Sequence, residues 1–192
     1  MSFISDGTGS GYKAEVDSQN RLQVNAVVED AFTHAAEEGY AFNINTGEIT
    51  VSGTAPFSQD VLYLKNNEAR DLEVVGWFIG EESRTAGGGN TTSPLTFEMY
   101  GYVGDVSGGT DVDVVNRRIG SPKEFDVVAK KQVSTVSTSG TPLLFQYHYG
   151  GRAFGTVNFT IPSGASIILR VTSKADSVTL YTGFTGYIGG DY

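Results

Sequence analysis

Short segments of alternating polarity recur along almost the whole chain, separated by clusters of glycine, asparagine, aspartate and serine. Between residues 22 and 26, for example, Leu22, Val24 and Ala26 alternate with Gln23 and Asn25. A period of two is the signature of a half-buried strand. About twelve such segments, with almost no helical pattern, predict an all-β fold of two antiparallel sheets packed face to face.

Two packed sheets need an apolar core, and the strand pattern predicts which side chains fill it. The clearest strands are residues 61–65 and 72–79, joined by a polar turn and predicted to form a hairpin. Residues 42–45 and 48–52 form a second hairpin-like pair, and residues 112–115 are predicted as one strand. The side chains expected between the sheets are Leu62, Leu64, Trp77, Phe97, Met99, Phe145, Phe159, Ile167, Leu169 and Val171.

The domain organisation follows from where the apolar pattern begins. Residues 1–11 are small and polar, so they are predicted to form a flexible N-terminal arm. Residues 12–192 are predicted to form a single sandwich domain, beginning with strands at 12–16 and 22–28. The single helix candidate is short, residues 29–38, with Asp30 as its cap and Gly39 where it ends.

Charge and hydropathy exclude two classes of partner. The formal net charge is −9, from 13 basic and 22 acidic residues. That balance disfavours nucleic acid, because binding to phosphates depends on releasing counterions to Lys and Arg. No apolar run approaches the roughly 18 residues that span a bilayer. We therefore expect neither a nucleic acid nor a membrane as partner.

Motifs for catalysis are absent from the sequence. Gly7-Thr8-Gly9-Ser10-Gly11 lacks the Lys-Ser/Thr ending of a phosphate loop. There is no cysteine and no Gly-x-Ser-x-Gly elbow. His34 and Glu38 lie one helical turn apart, but the spacing supplies no third metal ligand. The sequence predicts no enzyme, no cofactor and no metal centre.

Two features leave alternatives open. Asp105, Asp111 and Asp113 are either loop ligands of the type that Ca²⁺ takes or the solvent face of a strand. The chain has 10 Tyr and 11 Phe against one Trp. Aromatic side chains are favoured at protein interfaces and also stack on sugars, whereas ordinary core and rim packing accounts for most of them.

Four segments resemble jelly-roll virion structural proteins of tailed bacteriophages, of the marine and cyanobacterial phage type. The first segment is the opening residues 9–22, and the second, residues 62–74, has a strand, Lys65-Asn66-Asn67, a charged turn and a second strand. The third segment is the VNRRIGS element at residues 115–121. The fourth is residues 159–169, where Pro162-Ser163-Gly164 leads into a late strand.

The resemblance implies a jelly-roll-like sandwich and a non-enzymatic capsid decoration or cement protein. Such a protein binds and stabilises the shell of the major capsid protein, or other virion proteins, and is commonly a homotrimer. Its location is the virion, on the capsid exterior, after synthesis in the host cytoplasm. The alternative is a carbohydrate- or receptor-binding module of a tail fibre or spike, or another tail or neck component.

The candidate protein interface consists of aromatic side chains near the chain ends. Glycines between the C-terminal ones allow close backbone approach, so we expect the trimer to form there. The alternative is that residues 178–187 are an ordinary edge or core strand of the monomer. The candidates are Tyr12, Tyr181, Phe184, Tyr187 and Tyr192.

Overall fold

The computed structural model describes residues 30–85, 94–138 and 141–189 in full, and the backbone of two N-terminal strands. The chain forms two compact units, Met1–Asp30 and Ala31–Tyr192. In the first unit, β1 (Ser2–Ser5) and β2 (Lys13–Val16) pair antiparallel. β1 lies inside the stretch predicted as a flexible arm. The strand was not predicted, because four residues are too few to show a period of two. The strand predicted at 22–28 lies outside the described residues.

The second unit contains one short helix followed by strands. The helix α1 (Ala31–Glu38) ends just before Gly39, which adopts φ = 80°, as predicted for a glycine stop. In the part of the chain that the structure describes, no helix has the length and apolarity needed to cross a bilayer. The elements are α1 (Ala31–Glu38), β3 (Ala41–Asn45), β4 (Ile49–Ser52), β5 (Phe57–Asn66), β6 (Leu72–Thr85), β7 (Leu95–Tyr102), β8 (Gly108–Asp111), β9 (Val114–Asn116), β10 (Val127–Val133), β11 (Leu144–His148), β12 (Gly151–Ile161), β13 (Ser166–Ser173) and β14 (Ser177–Ile188).

The strands form two antiparallel sheets with jelly-roll topology. The first sheet has the order β12-β6-β14-β3-β9, with β4 also beside β14, and the second has the order β11-β7-β13-β5-β10-β8. The pairing is nested, since β3 pairs with β14, β5 with β13, β6 with β12 and β7 with β11. This nesting, with the chain passing from sheet to sheet, is that of an eight-stranded jelly roll. β8, β9 and β10 extend it, and the predicted fold class is confirmed.

Two local predictions were wrong about pairing, and a third was wrong about the bounds of a strand. β5 and β6 lie in different sheets, so the turn between them crosses the sandwich instead of closing a hairpin. β3 and β4 both pair with β14 and form one interrupted strand, in which the Thr46 hydroxyl accepts a hydrogen bond from Thr182 N at 3.0 Å. The strand predicted at 112–115 is correct only in part, since β8 ends at Asp111 and β9 begins at Val114. Alternating polarity looks the same in a hairpin and in a crossover, so the local pattern could not distinguish them.

The core lies between the sheets and agrees with most of the predicted set. Leu62, Leu64, Phe97, Met99 and Val171 are completely buried, and Trp77, Ile167 and Leu169 are buried as well. Phe159 is half-buried against the core. The prediction for Phe145 was wrong: its side chain is 47% exposed, because β11 is an edge strand and Phe145 points away from the core.

A β-bulge at Val75 positions the single tryptophan. The pairing of β6 with β12 shifts between Gly76 and Val74, and its pairing with β14 shifts at the same place. The extra residue allows Val74 and Trp77 both to face the core. Gly155 lies opposite Trp77, and a Cβ there would be 2.4 Å from the indole Nε1. The glycine therefore provides the space that the indole fills.

Candidate functional site

Exposed apolar side chains concentrate where β11 and β12 form neighbouring edges of the two sheets. Five such side chains lie there, and we call them the edge surface: Leu143, Phe145, Tyr147, Tyr149 and Phe154. Their exposed fractions range from 47% to 77%, which is unusual for side chains of this size.

The alternation of β11 produces this surface. Leu144 packs against the core and His148 is buried, whereas Phe145 and Tyr147 point outward from the same strand. The rings of Phe145 and Tyr147 meet edge to face, with centroids 5.0 Å apart and planes at 88°. The surface thus presents a preformed aromatic pair.

β11 lacks the features by which edge strands usually avoid pairing with other chains. Such features are charged side chains, prolines and bulges. Residues 132–151 contain no Asp, Glu, Lys or Arg. β11 contains no proline, and it pairs with β7 without a register shift, from Leu144 opposite Met99 to His148 opposite Leu95. It is a regular and uncharged sheet edge.

Three other outer strands of the two sandwich sheets are short, charged or bulged. β8 has only four residues and ends at Asp111, which pairs with Lys130 at 3.1 Å. β9 has three residues. β12 carries Arg152 and a register shift between Thr156 and Phe159. The contrast identifies β11 as the edge best suited to binding another protein.

A buried polar cluster fixes the end of β11 to the other sheet. Arg84 on β6 donates from Nη2 to Glu81 Oε2 at 2.6 Å and to the carbonyl of His148 at 3.4 Å. His148 is 4% exposed, and its Nε2 lies 3.9 Å from Glu81 Oε2, with no hydrogen-bond partner among the described residues. Burial lowers the pKa of His148, although the Glu81 carboxylate partly opposes this change. The imidazole is therefore neutral at pH 7.

A groove of about 540 Å³ crosses the outer face of the first sheet. Glycines allow aromatic rings to lie flat beside it. A Cβ on Gly183 would be 2.6 Å from the Phe78 ring, and one on Gly80 would be 1.9 Å from Tyr181. The centroid of the Phe78 ring lies 6.5 Å from Phe154 and 6.3 Å from Tyr181. Phe78, Phe154 and Tyr181 thus form an aromatic patch beside the groove.

Helix α1 contacts another part of the same face. Phe32 of α1 lies 6.2 Å from the ring of Tyr187, and the guanidinium of Arg117 lies 4.9 Å above the Phe32 ring. The helix therefore occupies the Tyr187 region of the sheet and helps to hold Arg117 in place.

The three predicted interface residues that the structure describes do not form one surface. Tyr181 and Tyr187 are half-buried on the outer face of β14, near Phe78 and Phe32 respectively. Phe184 is 1% exposed inside the sandwich, which corrects its prediction as an interface residue. β14 lies between β6 and β3, so its residues alternate between core and outer face. Tyr12 and Tyr192 lie outside the described residues.

Sequence reasoning missed the edge surface. Leu143 and Phe154 were not singled out, and Phe145 was assigned to the core. One sequence signal pointed to the surface, namely the absence of charge from residues 132–151. That signal identifies an uncharged stretch but not its position at a sheet edge.

Two of the candidate metal ligands form ion pairs with lysines, and the candidates do not gather into a metal-binding cluster among the described residues. Asp105 pairs with Lys65 at 2.7 Å, and Asp111 pairs with Lys130. Within the described ranges, no group of three or more His, Cys, Asp or Glu side chains is placed to hold a metal ion. His34 and Glu38 lie on α1, as the sequence predicted.

Comparison with known proteins adds little. No family of proteins matches the sequence, and no curated protein matches it. One solved structure, titled "Structure of infectious bursal disease virus Gx strain", is similar at 16% identity with a TM-score of 0.24. The likeness covers 80% of this chain and 30% of that chain, so this chain spans less than a third of its length. At that TM-score the likeness supports no conclusion about function. The fold and the edge surface define a jelly-roll sandwich in which β11 is a regular, uncharged edge with exposed apolar side chains.

Proposed function

We propose that this chain is a non-enzymatic structural protein of a tailed-phage virion, a capsid decoration or cement protein whose edge surface binds the major capsid protein. The observation that carries the proposal is the edge surface, because β11 is a regular, uncharged strand edge with exposed aromatic side chains. The phage context comes from the sequence resemblance described above. Jelly rolls are one of the common architectures of viral capsid domains.

The composition of the edge surface is that of an interface centre. Such centres are depleted in charge and enriched in aromatic anchors. Phe145 and Tyr147 supply the anchors, and the unpaired side of β11 offers backbone groups to an added strand. The net charge of −9 suits a position outside the shell, away from packaged DNA.

The rigidity of β11 favours binding. Arg84 fixes the carbonyl of His148, and β7 pairs along all of β11. Because the edge is ordered before a partner arrives, association loses less conformational entropy.

The test is co-sedimentation with empty shells assembled from the major capsid protein encoded in the same genome. We expect the wild-type protein to sediment with the shells to saturation. Phe145→Lys, which places a charge in the aromatic pair, should abolish binding. Val115→Lys is the matched control, because Val115 on β9 is 56% exposed and lies outside the edge surface.

Full binding by the Phe145→Lys protein would reject the edge surface as the interface. If the wild-type protein does not sediment with the shells, the capsid role is rejected. Cryo-electron microscopy of the intact particle then distinguishes the head from the tail or neck locations of the alternative.

A further inference from the structure

The groove on the outer face of the first sheet combines an aromatic wall with a polar floor. Phe78 and Phe154 form the wall, with their planes inclined at 36°. Gly76 lies beside them, and because it has no side chain the sheet backbone is accessible at this point. Four adjacent strands at about 4.8 Å spacing give the groove a length of about 14 Å, which suits an elongated ligand.

Polar side chains continue the lining on β14 and β3. Thr185 donates from Oγ1 to Asn43 Oδ1 at 2.7 Å, and Asn45 Oδ1 accepts from Gly47 N at 2.9 Å. These bonds orient both amides, and each amide group also has N–H donors. Asn43 and Asn45 are exposed at the groove, where their donors suit the hydroxyl groups of a ligand.

The charge of the groove is opposite to that of the protein as a whole. Arg117 is the single charged side chain among the described residues that line the groove, and none of those residues is Asp or Glu. The remainder of the chain is strongly acidic, with a net charge of −9. The Arg117 guanidinium is held over Phe32 and retains N–H donors in a planar fork that matches a carboxylate.

We infer that this groove binds an acidic saccharide, with a sugar ring stacked on Phe78 and Phe154 and a uronate carboxylate on Arg117. Flat aromatic faces suit the C–H face of a pyranose, the amides suit its hydroxyl groups, and the guanidinium selects for charge. This binding activity does not depend on the capsid role, because it uses the outer face of the first sheet and shares only Phe154 with the edge surface.

Isothermal titration with tetragalacturonate and with its methyl ester tests both parts of the inference. The two probes share a sugar backbone and differ in charge. We expect the acid to bind with a dissociation constant of about 1 mM or below, and about tenfold more tightly than the ester. Arg117→Gln should equalise the two affinities. Phe154→Ala should weaken both by about tenfold, since Phe154 is 75% exposed and its loss removes a stacking face without opening the core.

Two control variants separate site-specific binding from general attraction. Arg152→Gln removes a cation outside the groove lining, and Phe145→Ala removes an aromatic ring from the edge surface; both should bind like wild type. The inference is overturned if neither tetragalacturonate nor a hyaluronan or alginate tetrasaccharide binds. It is equally overturned if Arg152→Gln weakens binding as much as Arg117→Gln does.

Discussion

Arg170 on β13 holds Asp60 on β5 in a two-point ion pair. Arg170 Nε lies 2.6 Å from Asp60 Oδ1, and Nη2 lies 3.2 Å from Oδ2. Asp60 is completely buried, and the side chain of Arg170 is 13% exposed. Val136 joins the pair by donating from N to Asp60 Oδ2 at 2.9 Å and accepting from Arg170 Nη2 at 2.6 Å. The pair thus fastens the segment after β10 to the second sheet.

Asp60→Ala should destabilise the protein strongly. It leaves Arg170 without its counter-charge in a largely buried position, a change that typically costs about 3–5 kcal/mol. Urea denaturation followed by far-UV circular dichroism measures the free energy of unfolding. Asp105→Ala removes an exposed partner of Lys65 and should leave the midpoint unchanged. Equal effects of the two substitutions would show that the buried pair contributes nothing special.

Trp77→Ala should lower the free energy of unfolding by about 3–5 kcal/mol, because it empties a buried indole site. Gly155→Ala should cost about 1–3 kcal/mol through overpacking against the same indole. Gly76→Ala is the matched control, since the nearest atoms to its Cβ would lie at 3.8 Å. A loss below about 1 kcal/mol for Trp77→Ala, or emission typical of a water-exposed indole, would contradict core packing.

The pH dependence of stability should carry a contribution from His148. Its pKa is lowered in the folded state by burial, so the unfolded chain binds the proton more readily near the ordinary value of 6.5. The stabilisation is therefore complete above pH 6.5 and is lost as the pH falls toward the lowered pKa. The charged groups described beside the imidazole are Glu81 and Arg84.

His148→Phe removes this titration while retaining a ring against Phe97. Between pH 6.5 and 5.5 the wild-type free energy of unfolding should fall by up to about 1.4 kcal/mol more than that of the variant. Urea melts at both pH values measure the difference. Parallel pH profiles of the two proteins would show that His148 does not titrate differently on folding.

The homotrimer remains a prediction, and light scattering at micromolar concentration tests it. A 20.5 kDa species alone would reject the trimer for the free protein. Deleting residues 183–192 is unsuitable for locating the interface, because it removes half of the central strand β14. Tyr181→Ala is a better test of the predicted C-terminal interface, since Tyr181 lies on the outer face. An unchanged trimer in that variant would move the interface elsewhere.

The sequence by itself indicated most of the strands, the helix and most of the core, because each depends on neighbours a few residues apart. Alternating polarity located β14 closely, at the predicted residues 178–187, and the glycine at position 39 marked the end of α1. The resemblance to jelly-roll proteins indicated the topology that the nested pairing then confirmed.

The tertiary structure alone decided which strands pair and which faces stay exposed. Phe145 and Phe97 both lie on amphipathic strands, yet Phe145 is at an edge and Phe97 is central and buried. Phe184 became a core residue because β14 lies between β6 and β3. Pairing is set by contacts between residues more than a hundred positions apart, such as Asp60 with Arg170, and alternating polarity carries no information about distant partners.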